Sequence, residues 1–259
     1  VLVAHTAMNN TSVPAFASQQ AAAQIVERLR ATGHAAYFAG GCVRDLLLGC
    51  EPSDFDVATN ATPDVVRAMF PRTFAVGAHF GVVLVATEHE SDEILTEVAT
   101  FRCDGSYSDG RRPDSVCYTD SAEQDVLRRD FTINGMLLDP VKLPQAGELR
   151  PAILDFVGGM DDLQAGVVRA IGDPAQRFAE DKLRMLRAVR FAARFGFAIE
   201  DHTMRAIRTM ASEINQVSQE RVRDELTRML TEGAARPAFE LLESTNLLRE
   251  VLREITRMI

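Results

Sequence analysis

Two aspartates one residue apart pose the first chemical question. In Ser53-Asp54-Phe55-Asp56-Val57 the side chains of an extended strand alternate, so Asp54 and Asp56 share one face while Phe55 and Val57 turn to a core. Carboxylates held side by side repel unless a cation sits between them, and this is how Mg²⁺ is held in two-metal phosphoryl transfer. Alone, the pair equally fits two solvated acids on an exposed face. A short way upstream, Gly40-Gly41-Cys42-Val43-Arg44-Asp45 makes a glycine turn between a strand and a helix. Glycines let backbone approach a phosphate, the helix start offers unpaired N–H groups, and Arg44 adds a charge-assisted contact. Gly-Gly by itself more often marks a simple turn.

Three further groups extend this chemistry. Glu97 is the acid inside Leu95-Thr96-Glu97-Val98-Ala99-Thr100-Phe101, and a neighbouring strand position would bring it against Asp54 and Asp56; an outward Glu on a half-solvated strand is the alternative. Arg128-Arg129-Asp130-Phe131-Thr132-Ile133-Asn134 offers cations for a triphosphate and an Asp and Asn for a sugar, or else a charge cluster flanking a helix. Glu180-Asp181-Lys182-Leu183-Arg184, continuing to Arg187 and Arg190, puts Asp181 and Arg184 at i,i+3 on one helix face. Both side chains make directional hydrogen bonds suited to a base edge, but an ordinary salt bridge has the same spacing.

The elements that must position these groups fall into two regimes. From about residue 18 to 157 helix and strand patterns alternate: a helix from Ala17 to Arg30 ended by Gly33, a strand at Ala35 to Phe38, and a short helix through Leu48 stopped by Gly49. Strands follow at Asp54 to Ala58, Thr73 to Val76, Val82 to Thr87 and Ile94 to Phe101, with a helix from the Thr62-Pro63 cap to Phe70. Arg102 to Asp120 has no apolar period and is expected to be a long, functional loop. From about 158 to 259 the pattern is helical, apart from Val167 to Ile171, with Asp173-Pro174 opening the helical region and helices at Asp181 to Phe195, 201–211, 218–231 and 236–244. The closing helical pattern has no C-cap, so further chain is expected beyond Ile259, whereas Val1 to Thr11 fits neither helix nor strand.

Bulk properties bound the answer without fixing it. The 259 residues, 46% apolar and 25% charged, suit a globular protein with a sizeable core. No stretch approaches the roughly 20 apolar residues that cross a bilayer, so no membrane partner is expected. The four cysteines (Cys42, Cys50, Cys103 and Cys117) lack C-x-x-C spacing, which predicts reduced thiols and a cytoplasmic protein. A net charge of −9 argues, weakly, against a nucleic-acid partner, because phosphate binding wants a basic surface, but the arginines are clustered, and distribution decides.

Taken in order, "GGCVRDLLLG", "PSDFDVATNATP", "EVATFR", "RRPDSV", "RRDFTINGM", "DFVGGMDDLQAG", "GDPAQRFAEDKLRMLRAVRFAARFGF" and "ERVRDELTRML" resemble the class II tRNA nucleotidyltransferases (CCA-adding enzymes) and the related bacterial poly(A) polymerases. The resemblance covers about residues 20 to 232. It implies an α+β fold, a polymerase-β-like nucleotidyltransferase head followed by an all-helical neck and body. It also implies Mg²⁺ as cofactor, and the tRNA 3′ end, ATP and CTP as partners. Asp54 and Asp56 would hold the metals and Glu97 would be the third carboxylate. Gly40, Gly41, Arg44, Arg128, Arg129, Asp130 and Asn134 would meet the sugar and phosphates. Asp181 and Arg184 would read the base edge of CTP or ATP, and Arg187 and Arg190 would belong to the nucleotide-binding set.

Within that family, members that add only CC typically lack a flexible loop, and Arg102 to Asp120 resembles that loop intact. "VGAHFGVVLV" is closer to the tRNA enzymes than to the poly(A) polymerases. Full CCA addition and A-only addition stay open. Gly135 stands where the family usually has alanine, a change expected to be nearly neutral, and most of the family's body and tail is not present. A catalytically silent RNA-binding protein is disfavoured by the intact carboxylates. A phosphohydrolase is disfavoured because His5, His34, His79, His89 and His202 have no metal-site spacing.

Overall fold

The computed structural model describes residues 15–74, 81–89, 92–105, 115–143 and 149–256. Helix α1 (Ala15–Ala31) buries Ala17, Ala21, Ala22, Ile25, Val26 and Leu29, the i, i+4 and i+8 positions of one face. Then follow β1 (Ala36–Ala39), α2 (Gly41–Leu47), β2 (Asp56–Thr59), α3 (Pro63–Met69), β3 (Thr73–Phe74), β4 (Val82–His89) and β5 (Asp92–Thr100). A hairpin of β6 (Arg102–Asp104) and β7 (Val116–Tyr118) leads to α4 (Ala122–Leu127), a single 3₁₀ turn at Thr132–Asn134, β8 (Met136–Leu138) and β9 (Ile153–Asp155).

The main sheet has seven strands in the order β3-β4-β5-β2-β1-β8-β9. Its one parallel pair matters most for chemistry. β2 runs alongside β5 with Val57 opposite Val98, which places Asp56 and Glu97 one step earlier on adjacent strands. β1 lies antiparallel to β2, with Ala39 opposite Asp56, so the glycine turn that follows β1 opens beside the start of β2.

Beyond the sheet come α5 (Gly159–Ala165), β10 (Val167–Val168), α6 (Pro174–Glu180), α7 (Leu183–Phe195), β11 (Ala198–Ile199), α8 (Asp201–Met210), α9 (Gln219–Thr231), α10 (Ala235–Ser244), α11 (Leu248–Val251) and α12 (Arg253–Thr256). α6 starts as its sequence predicts: the Asp173 side chain caps Ala175 N–H and proline follows at the first helical position. One hydrophobic cluster runs from the sheet into the helices. Phe131, just before the 3₁₀ turn, meets Phe191 of α7 edge-on at 5.9 Å between ring centroids. Burying a side chain of this size contributes about 2 kcal/mol, so this contact helps fix α7 against the sheet. The result is an α+β head followed by helices. Among the described residues no helix is long and apolar enough to cross a membrane.

Several expectations need correction. Arg102 to Asp120 is not loop throughout, because Arg102–Asp104 pairs with Val116–Tyr118; strands of three residues are too short for an apolar period to announce them. Asp54 precedes β2, so the Asp54/Asp56 pair straddles a strand end. The strands Met136–Leu138 and Ile153–Asp155 were not anticipated, and only Val167–Val168 of the 167–171 run is a strand. The reading of Val1–Thr11, the end of the 73–76 strand, part of the "VGAHFGVVLV" segment, residues 106–114 of the expected loop, and the missing C-cap at Ile259 lie outside the described residues.

Candidate active site

A cleft of about 520 Å³ opens between the sheet and the helices α7 and α9. Gly40, Gly41, Arg44, Asp54, Asp56, Arg128, Arg129, Asp130, Asn134, Asp181, Arg184, Arg187 and Arg190, thirteen of the fourteen residues singled out from the sequence, line it. Glu97 is the exception. It stands beside Asp56 on the next strand and is felt there as charge.

The acids crowd one another. Burial, and then the nearby carboxylates of Glu97 and Asp54, push Asp56 up to about 7, against the pull of Arg129. Glu97 has an open surface, yet the walls around its carboxyl and the Asp54 charge raise it as well. This spot is short of positive charge. No three His, Cys, Asp or Glu side chains among the described residues could enclose a metal by themselves. Mg²⁺, however, is commonly bound by one or two carboxylates together with substrate phosphates, and the Asp54–Asp56 donor set fits that manner of binding. Cys42 sits just behind. Burial pushes its thiol up to about 12, so it is no nucleophile.

Positive charge comes from the neighbouring wall. Asp125 of α4, 1% exposed, grips both arginines: Oδ1 accepts from Arg128 at 3.0 and 2.6 Å, and Oδ2 from Arg129 at 3.3 and 2.9 Å. Gly40 has φ +76°, a left-handed conformation that favours glycine, while a Cβ there would make only an ordinary contact, 3.5 Å, with Arg129 Nη1. Arg44 is buried, with its guanidinium donating to Asp45 Oδ1 (2.8 Å) and Asn134 Oδ1 (2.6 Å) and lying over the rings of Phe191 and Phe195.

Asp130 is a hub. Its Oδ1 accepts from Phe131 N–H at 2.8 Å and Asn134 Nδ2 at 3.1 Å, and its Oδ2 from Arg187 Nε and Nη2 at 2.9 and 2.7 Å. These four donors fill the acceptor positions of a carboxylate, so a sugar hydroxyl must displace one of them to be accepted there. The Arg187 charge and these hydrogen bonds outweigh burial and hold Asp130 down at about 2. Arg190 likewise pairs inward, with Glu225 Oε2 at 2.6 Å, and burial lowers its pKa.

Asp181 and Arg184 do not share a helix face. Asp181 ends α6 in an extended conformation (φ −146°, ψ 104°), and its Oδ1 accepts from Leu183 N–H at 3.1 Å as α7 begins. Short side chains that bond their own backbone favour such breaks, and this capping outcompeted the helical spacing. The break sets Asp181 and Arg184 along the cleft wall. Arg184 is fixed by Glu180 Oε2 (2.7 Å), Arg177 O (3.1 Å) and Arg128 O (3.1 Å), and Asp181 by Arg221 of α9.

Sequence reasoning missed Asp125, Phe191, Arg194, Arg221 and Arg228. Phe191, Arg194, Arg221 and Arg228 line the cleft. Arg194 was legible as the next basic step after Arg187 and Arg190 along α7. Asp125 and Arg221 act through contacts no local spacing reports.

Comparison with known proteins identifies the family of the chain. Residues 36–169 match the poly A polymerase head domain, and residues 196–259 match a probable RNA and SrmB-binding site of polymerase A. The CCA-adding enzyme of Geobacillus thermodenitrificans is 42% identical over 228 residues, 88% of this chain and 53% of that protein. That of Enterococcus faecalis is 42% identical over 209 residues, 81% of this chain and 48% of that protein. The crystal structure of the Bacillus stearothermophilus CCA-adding enzyme in complex with CTP superposes with a TM-score of 0.77 at 38% identity, covering 91% of this chain and 53% of that one. The chain thus spans about half the length of the curated relatives it matches. On these grounds the chain belongs to the family of class II CCA-adding enzymes and bacterial poly(A) polymerases.

Proposed function

We propose that this protein is a template-independent RNA nucleotidyltransferase that adds CCA, or its terminal A, to the 3′ end of tRNA from CTP and ATP. The observation that carries the reading is the single cleft in which Asp54 and Asp56 share space with Arg128, Arg129 and the arginines of α7. Acids at a reacting centre beside cations for a triphosphate are the parts that nucleotidyl transfer needs.

In this reading Asp54 and Asp56 hold Mg²⁺, with Glu97 as the third carboxylate. Mg²⁺ bound there would neutralise the triphosphate and favour ionisation of the attacking hydroxyl. The RNA 3′-oxygen bonds to the α-phosphorus as the bond to the bridging β-oxygen breaks. Pyrophosphate leaves with that electron pair, and the hydroxyl proton passes to water. Gly40 and Gly41 admit the phosphates close to the backbone, and Arg128 and Arg129, aimed by Asp125, offset their charge. Asp130, Asn134, Arg44, Arg187 and Arg190 tie the sugar side of the cleft to α7. Asp181 and Arg184 read the base edge. A head over residues 18–157, a helical region over 158–259, and a cytoplasmic setting in keeping with the free cysteines belong to the same reading.

The test is incorporation of labelled CTP and ATP, with Mg²⁺, by the whole protein. The acceptors are tRNA transcripts ending before CCA, after the first C and after CC. Addition of C, C and A identifies complete CCA synthesis, and A only after CC identifies an A-adding enzyme. Long A tracts would indicate a poly(A) polymerase, and no incorporation would overturn the proposal.

A further inference from the structure

Arg221, near the start of α9, lies 40 positions beyond Asp181 in the chain, yet closes on it as a fork. Nη1 donates to Oδ1 at 3.2 Å and Nη2 to Oδ2 at 2.8 Å. A two-pronged contact fixes the plane of a carboxylate as well as its position. With Leu183 N–H also donating to Oδ1 at 3.1 Å, three of about four acceptor positions are filled, and the one left is on Oδ2.

Arg184 admits the same count. Of a guanidinium's five N–H donors, the described contacts to Arg177 O, Glu180 Oε2 and Arg128 O use three, leaving two. By this count one acceptor of Asp181 and two donors of Arg184, both residues that line the cleft, are left for incoming chemistry. A cytosine edge presents one amino donor and two acceptors, and an adenine edge an amino donor and a ring-nitrogen acceptor. Uracil and guanine carry a carbonyl where the amino group would be.

We propose that Arg221 is a positioning residue for nucleotide selection: its fork leaves Asp181 one acceptor in one plane, so that an amino-bearing base is accepted and a carbonyl-bearing base is rejected. This inference rests on the assignment of Asp181 and Arg184 to the base. Without the fork the carboxylate turns about its Cβ–Cγ bond and admits water, which can offer a donor to a carbonyl oxygen. Arg221 itself need not touch the nucleotide.

The experiment compares kcat/KM for CTP and UTP on a tRNA transcript ending before CCA, using the whole protein and its Arg221→Met, Arg221→Lys and Asp181→Ala variants. The CTP:UTP ratio is expected to fall about tenfold in Arg221→Met, the scale of one hydrogen bond to a charged group, and to recover in part in Arg221→Lys. A loss of the same factor for both nucleotides, with the ratio unchanged, would mean a structural brace only and would overturn the inference. Should Arg221→Met fail to fold, Arg221→Lys decides: a reduced ratio supports the role, a wild-type ratio refutes it. If Asp181→Ala loses selectivity while both Arg221 variants keep it, only the Arg221 role fails. If Asp181→Ala itself keeps selectivity, the base assignment fails with it, and a wild-type protein that incorporates neither nucleotide sinks the function itself.

Discussion

Arg187 of α7 donates two hydrogen bonds to a single oxygen of Asp130, at 2.9 and 2.7 Å, and so joins the turn after α4 to the helices that close the cleft. Asp130 is nearly buried and has no spare acceptor position, so its value lies in holding that seam. Arg187→Met should cost about 3 kcal/mol in urea unfolding, because it leaves a largely buried carboxylate short of its cation. A loss within error would show that the seam is held elsewhere.

The same pair predicts an acid limb. With a folded-state pKa of about 2 against an ordinary value near 3.9, Asp130 binds protons more readily when unfolded. Its contribution, roughly 2.5 kcal/mol, is present above about pH 4 and is lost as pH falls toward 2. Asp130→Asn should flatten stability over that window in pH-dependent unfolding.

Asp56 carries the opposite sign. Its pKa of about 7 in the metal-free protein means that the folded state binds the proton more readily, so stability falls as pH rises from about 4 to 7. Asp56→Asn should remove that decline. Added Mg²⁺ should raise the melting temperature of the wild type at pH 7.5 and leave Asp56→Asn nearly unmoved; an equal shift in both would place the cation elsewhere.

Asp125 aims two arginines with one carboxylate. Asp125→Asn should raise KM for the nucleotide about tenfold by loosening both. Steady-state kinetics with CTP would check this, and an unchanged KM would mean that the arginines find their place without it.

Gly135 was expected to tolerate alanine, the usual residue in the family. In this chain a Cβ there would lie 2.9 Å from Val157 Cγ2 and 3.0 Å from Ile171 Cδ1. Its φ of −91° suits any residue, so the cost is overpacking alone. Gly135→Ala should destabilise by about 1 kcal/mol in thermal unfolding, after the gain from a stiffer unfolded chain.

Legibility in the sequence followed locality. Asp54, Asp56 and the Gly40-Gly41 turn were readable because a short strand and a tight turn are set by adjacent residues. Glu97 needed only one guess, that its strand lies beside β2, and the parallel register bears that placement out. Asp181 was misplaced because i,i+3 spacing implies a helix face, whereas its carboxylate caps the next helix and breaks the run. The β6–β7 pair escaped because strands of three residues are too short to show an apolar alternation. Nothing in the sequence sets Asp125 apart from an ordinary helix acid, because its two arginine contacts appear only in the fold. Arg221 could not be found, since its meaning comes from a partner 40 residues away.

The most direct test of the central claim is nucleotide incorporation into a tRNA transcript by the wild type and by Asp54→Ala, with circular dichroism to confirm that both are folded. The account predicts incorporation by the wild type and a loss of about a thousandfold or more in a folded Asp54→Ala. A folded Asp54→Ala that incorporates at the wild-type rate would contradict the assignment of this cleft as the site of metal-assisted nucleotidyl transfer.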